Sequence, residues 1–177
     1  MSGEDPDENF WVSVGARYAG PTDSRGSLAV LSLCIGVGQF GGGQQWIIHP
    51  PEVVFSEQYL QALASGAVSR EEAERHGLPP GAVALQAATW LNAHAYGRPP
   101  IMLCADGIAA GHVRRFFRAY GYDVFPGDGQ AKILSEQWSG TLRNNMEEPF
   151  YRQGSASDIA EAQFLTLVRL LATGGMF

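Results

Sequence analysis

The chain has 177 residues, 45% of them hydrophobic and 11% aromatic, with a formal net charge of −6. That length suits one domain with a sizeable core and leaves little for a second, while the acidic balance disfavours a surface given over to nucleic-acid phosphates. No apolar run approaches the ~20 residues of a membrane span, and the acidic start Met1–Asn9 lacks the basic and apolar regions of a signal peptide, so a cytoplasmic protein is expected.

Residues 1–9 read as a disordered acidic tail, followed by a single domain over 10–177. Three strand-like runs then come in quick succession: Phe10–Tyr18, Ser27–Val37 and Gln44–His49. The turn formers Gly20–Gly26 separate the first two, and Gly41-Gly42-Gly43 links the second to the third, as in an antiparallel meander. Pro50-Pro51 closes this run.

The period then becomes helical. Ser56–Ala64 carries Tyr59, Leu60 and Leu63, with Gly66 able to end it. Ser69-Arg70-Glu71-Glu72 is a capping box that opens a short charged helix ending near His76-Gly77. Pro79-Pro80-Gly81 starts a stronger helix, Ala82 to about Tyr96, with Val83, Ala87, Trp90, Leu91 and His94 on one face.

Ile101–Ala105 is a continuous apolar run, the mark of a strand buried on both faces. A helix from Ile108 to Tyr120 and a short strand, Tyr122–Phe125, follow. Residues 126–146 read as helix and loop around Ala131–Trp138. The final helix, Ser157–Ala172, is apolar around most of its circumference and is suited to burial or an interface.

The first strand carries a resemblance. Gly15-Ala16-Arg17-Tyr18-Ala19-Gly20-Pro21 resembles the opening strand of the DnaQ-like, RNase T-like 3′–5′ exonucleases of the ribonuclease H-like superfamily. Gly15 and Arg17 stand where that family has an Asp and a Glu. Ala64–Ala73 and Gly77–Ala82 resemble the helical segment before the family's second acidic motif. Trp90-Leu91 and Arg98–Ile101 are similar to its tryptophan-bearing helix and buried strand, and Ala156, Ala160 and Gln163 to the surroundings of its last motif. Together these stretches run from Trp11 to Leu171. The fold implied is a three-layer α/β domain: a mixed central sheet, opening with a three-stranded antiparallel meander, flanked by helices.

The same alignment implies a loss of chemistry. Such exonucleases hold two divalent metals with four carboxylates, so that one metal activates water and the other stabilises the leaving oxygen. Here Ala110 falls on the second-motif Asp, Gly154 on the general-base His and Ile159 on the last Asp. The resemblance therefore implies a nuclease scaffold with no catalytic residues, metal or cofactor, acting as a binding or scaffolding module for a protein or nucleic-acid partner. Because the family's exonucleases often pair, it also implies a homodimer.

The alternative is a divergent exonuclease that holds Mg²⁺ or Mn²⁺ with relocated carboxylates, Asp23, Asp106 and Asp158. Each has a plainer role: Asp23 in a turn, Asp106 as a helix N-cap, Asp158 in the first turn of the last helix. Arg114, Arg115 and Arg118 oppose Val113, Phe116, Phe117 and Tyr120 on one helix. They form a solvated face or, with Arg17, a ligand-binding site for an anion or an acidic surface.

Three further signals lead away from chemistry. Gly36–Gly41 spells G-x-G-x-x-G, but a strand follows it and a dinucleotide site needs a helix. Cys34 and Cys104 sit in apolar runs without a C-x-x-C pair and are expected as reduced core thiols. The four histidines are scattered, with no pair at ligand spacing.

Overall fold

The computed structural model describes residues 10–19, 28–36, 42–49, 56–104, 107–125, 131–133 and 155–172. These form strands β1 (Phe10–Tyr18), β2 (Leu28–Cys34), β3 (Gly43–Ile47), β4 (Pro100–Cys104) and β5 (Ala131–Ile133). The helices are α1 (Glu57–Ser65), α2 (Arg70–His76), α3 (Pro80–Ala95), α4 (Gly107–Ala119) and α5 (Ala156–Ala172). The expected acidic tail 1–9 lies outside the described residues.

One mixed sheet carries the domain, in the order β3-β2-β1-β4-β5. The expected meander is present: β1 and β2 pair antiparallel, as do β2 and β3. β4 joins the other side of β1 in parallel, and β5 joins β4 in parallel. β1 is thus central and buried along most of its length.

Side chains alternate across the pleat, which assigns each helix to a face. Val12, Val14 and Ala16 share a core cluster with Val83, Ala87 and Leu91 of α3 and with Val113, Phe116 and Phe117 of α4. Ser13 and Gly15 point the other way, toward α5. On that face Val30 packs with Tyr59, Ala62 and Leu63 of α1 and with Ala156 of α5.

Local signals set the helix starts. Ser56 caps α1 by accepting from the Tyr59 N–H, and the Ser69–Glu72 capping box opens α2 as its sequence requires. Pro80 sits at the start of α3, where its missing N–H costs nothing.

Two expectations are corrected. Tyr122–Phe125 is not a strand. Gly121 turns the chain at φ +83°, the Tyr122 N–H returns to the Phe117 carbonyl, and Phe125 is buried edge-on to the Phe117 ring. Its apolar residues close the end of the core instead. The fifth strand is Ala131–Ile133, inside the stretch read as helix and loop, and it extends the sheet by pairing with Met102–Cys104. Three residues give too short a pattern for periodicity to register.

The G-x-G-x-x-G stretch leads into β3, not a helix, although only Gly36 of it is described. Cys34 and Cys104 are buried and not joined in a disulfide. Burial raises the Cys34 pKa, and the thiol donates to the Gly36 carbonyl. No helix among the described residues is long and apolar enough to cross a membrane.

Candidate functional site

In open α/β sheets ligands bind beyond the carboxyl ends of the strands, at the point where strand order reverses. Here that point lies between β1 and β4: the chain leaves β1 toward β2 and leaves β4 toward β5 on the other side. The residues at stake are therefore the end of β1, Gly15 to Tyr18, and the end of β4 at Cys104.

Gly15 is the tightest point. A Cβ placed on it would overlap the Ala156 carbonyl oxygen, lie 2.8 Å from the Ala156 carbonyl carbon and 3.1 Å from the Ala160 nitrogen. All three atoms are backbone, so no neighbouring rotamer change can make room. Gly15 lies in ordinary strand backbone, outside the described glycines with positive φ, so contact alone requires glycine. The small residues Ala156 and Ala160 permit the approach from the helix side, one turn apart.

Arg17, two residues on, faces the same side as Gly15 and is half-buried. Its Cγ would lie 3.0 Å from a Cβ at Gly66, the C-cap of α1, so its stem lies against that helix end. α1 has no basic residue in its last turn, and Arg17 brings a cation toward the negative end of that helix. Desolvation lowers the Arg17 pKa, with the neighbouring Tyr18 opposing it. On the other face the Tyr18 ring stacks on buried His112 of α4, with centroids 4.1 Å apart and planes 19° apart.

Of the remaining aligned positions, the two described, Ala110 and Ile159, are apolar and buried. Ala110 lies in the core cluster that holds Val14 and Ala16, the oppositely facing neighbours of Gly15. Gly154 lies outside the described residues, as do Asp23 and Asp106.

Asp158 has a local role. Its carboxylate accepts from the Ser155 N–H at 3.1 Å, and the Ser155 hydroxyl accepts from the Asp158 N–H at 3.1 Å. This is a capping box at the start of α5. Gln45 of β3 adds a third satisfied donor there, accepting from the Ser157 N–H. The amides at this helix end are thus met from within the protein.

Among the described residues, those at the aligned positions do not fit a two-metal site. Gly15 has no room for a carboxylate, Arg17 brings positive charge, and Ile159 is apolar. Among the described residues no group of three His, Cys, Asp or Glu could hold a metal.

Arg115 and Arg118 are exposed on α4 and Arg114 is half-buried. Arg118 bonds to Asp123 at 3.3 Å across a well-exposed surface, a contact of small energetic weight. Because α4 covers the face opposite Arg17, the fold does not add Arg17 to this arginine face.

Ser13 and Gln163 are among the buried polar residues to which the sequence assigns no role of their own in binding or chemistry. The signal was available: Gln163 interrupts the stripe Ile159, Gln163, Leu167 at helical spacing, and a polar residue on a buried stripe needs partners. His112, the Tyr18 stacking partner, is a third of this kind.

No protein-family model and no curated protein matches the chain. Solved structures do match it. The E. coli ExoI–ssDNA complex in its metal-free form has a TM-score of 0.60 at 14% identity, over 92% of this chain. S. pombe Pop2p, in its Mg²⁺- and Mn²⁺-bound form, has a TM-score of 0.58 at 8% identity, over 97% of this chain. The match takes in 87% of the Pop2p chain but only 39% of the ExoI chain, so this chain spans well under half of the latter. At such identities the likeness is one of fold: the chain shares the ribonuclease H-like mixed α/β architecture of these structures.

Proposed function

We propose that this chain is a divergent DnaQ-like domain that has lost nuclease activity and works by binding or scaffolding a partner. The observation that carries the reading is the contact of Gly15 with the backbone of α5. On the alignment, Gly15 stands where the exonucleases present a metal-binding Asp. Here even a methyl group meets a carbonyl. The change is thus more than a missing side chain, because the space for that side chain is filled. Arg17 acts in the same direction, since a cation beside two divalent metals would oppose their binding.

The capping role of Asp158 weakens the relocated-carboxylate alternative, which needs that residue free to converge with Asp23 and Asp106. For contact with a partner, the arginine face of α4 is the better candidate. Arg115 and Arg118 reach solvent, whereas the Arg17 stem is taken up in packing. A net charge of −6 sets this face against an acidic background, which favours a local acidic or anionic target over a broad polyanion. Homodimerisation is part of the proposal through the outward side of α5, where Leu165 and Val168 are exposed.

The test is a nuclease assay on single-stranded and overhang DNA and RNA with Mg²⁺ or Mn²⁺. The expected result is no substrate loss above the buffer control. Cleavage that disappears in Asp106→Asn would overturn the reading and establish the alternative.

A further inference from the structure

β3 is the outermost strand on one side of the sheet. Its rungs to β2 are framed by two bonds: the Ile48 N–H donates to the Ala29 carbonyl and the Ile35 N–H to the Gly42 carbonyl, both at 2.9 Å. Main-chain groups alternate in direction along a strand. Gln44 and Trp46 therefore face β2 as well, while Gly43, Gln45 and Ile47 turn theirs outward. Leu78 meets only the far end of that edge, donating to the Ile47 carbonyl and accepting from the His49 N–H. Among the described residues nothing pairs with the outward main-chain groups of Gly43 and Gln45 or with the Ile47 N–H.

Sheet edges are ordinarily blunted by a lysine, a proline or a bulge. β3 carries no charge and no proline, and Gly43, Gln44 and Gln45 are exposed. Its two rims differ. On the α5 side the Gln45 side chain accepts from the Ser157 N–H, and Asp158 and Glu161 are exposed at that helix start. Burial, above all, and the Glu161 charge raise the Cys34 pKa, which sets that charge near Gly43, the Cα partner of Cys34. On the α3 side Trp46 donates to Gln86, and half-buried Trp90 meets its ring edge-on.

We propose that the open edge of β3 docks an extended segment of a partner protein, added antiparallel, with lysine or arginine on the α5 side alternating with apolar residues on the side of Trp90. Main-chain bonds hold such a strand, and the rims select its side chains. Partner residues opposite Gly43 and Gln45 share their face, so basic groups there meet Asp158 and Glu161, and Gly43 leaves room beside them. A second copy of this chain is disfavoured: a two-fold β3 pair would set the Asp158 and Glu161 of both copies on one rim, acid against acid. β3 offers this edge whether or not the chain cuts nucleic acid, so a failure here leaves the loss of nuclease activity standing.

The test titrates the full chain into short dye-labelled peptides of alternating lysine and valine, read by fluorescence anisotropy. The lysine peptide is expected to bind at least about tenfold tighter than its glutamate counterpart, a preference that shrinks as salt rises. Opposite Gly43 and Gln45 the lysines turn their N–H groups to β3 and the valines turn theirs away. N-methylation of the lysine amides should therefore cost about tenfold or more, and of the valine amides little. Glu161→Lys should weaken the lysine peptide about three- to tenfold and strengthen the glutamate one.

Equal binding of the two peptides, equal effects of the two methylations, or no effect of Glu161→Lys would overturn the proposal. So would a dimer in sedimentation that dissociates in Gln45→Pro. That substitution removes an outward N–H and spares the β2 ladder, so its effect would put a second copy on the edge.

Discussion

Gly15→Ala is the substitution that reports most directly on the closed site. A methyl group at Gly15 would overlap the Ala156 carbonyl oxygen and sit 3.1 Å from the Ala160 nitrogen. Relief requires α5 to move as a body, which also strains the hydrogen bond from Gln163 to Ser13. Overpacking of this kind costs about 1–3 kcal/mol, and contact with backbone on two turns places it in the upper half of that range. Replacing glycine also stiffens the unfolded chain, which offsets roughly 0.4–1 kcal/mol.

The net expectation is a loss of about 2 kcal/mol, or a Tm lower by about 4–8 °C for a domain of this size. Urea unfolding at fixed protein concentration measures it, with Gly42→Ala as the control. The nearest atom to a Cβ at Gly42 is 4.0 Å away, so that variant should stay near wild type. A Gly15→Ala protein as stable as wild type would show that α5 leaves room over β1. The steric ground for the proposed loss of a carboxylate at Gly15 would then be gone.

Further outcomes follow from the same geometry. Restoring the aligned acids together, as Gly15→Asp, Arg17→Glu and Ile159→Asp, should destabilise the chain without producing cleavage; activity in that variant would refute the filled-site reading. Millimolar Mg²⁺ or Mn²⁺ should leave the wild-type Tm unchanged, whereas a site saturated about a hundredfold above Kd would add about 2.7 kcal/mol. Ser155→Ala should lower stability by about 1 kcal/mol through loss of the α5 capping box, and Asp158→Asn should do so more mildly, both read by thermal unfolding. Burial pushes the Tyr59 phenol up from 10.0 to about 12, where it donates to the Ile48 carbonyl. Because the folded pKa is the higher one, this stabilisation is complete below pH 10.0 and lost as pH rises to about 12. Tyr59→Phe should remove that alkaline slope in unfolding experiments monitored by tyrosinate absorbance.

Much of the framework is legible without the structure. Turn formers and alternating runs place β1, β2 and β3 within a few residues, because strand spacing and glycine-rich links leave few other solutions. The capping box at Ser69 and the prolines before α3 act locally, so their effect is visible in a handful of residues. Gly15 and Arg17 stand out by residue type alone, as the positions where the resemblance departs from its family's pattern. Tyr122–Phe125 misled because aromatic and β-branched composition describes burial as readily as pairing, and here burial against Phe117 won.

What the residues dictate by themselves is side-chain type: glycine at Gly15, an apolar group at Ile159 and a cation at Arg17, on which the proposed loss of activity rests. Tertiary structure alone decides what these positions touch. Gly15 meets Ala156 across more than a hundred residues of chain, and Ser13 meets Gln163 over a similar span. Such contacts depend on where α5 docks on the sheet, a long-range outcome of packing that no local pattern encodes. The sequence therefore singles out Gly15 by residue type, and the fold presses it against the backbone of α5.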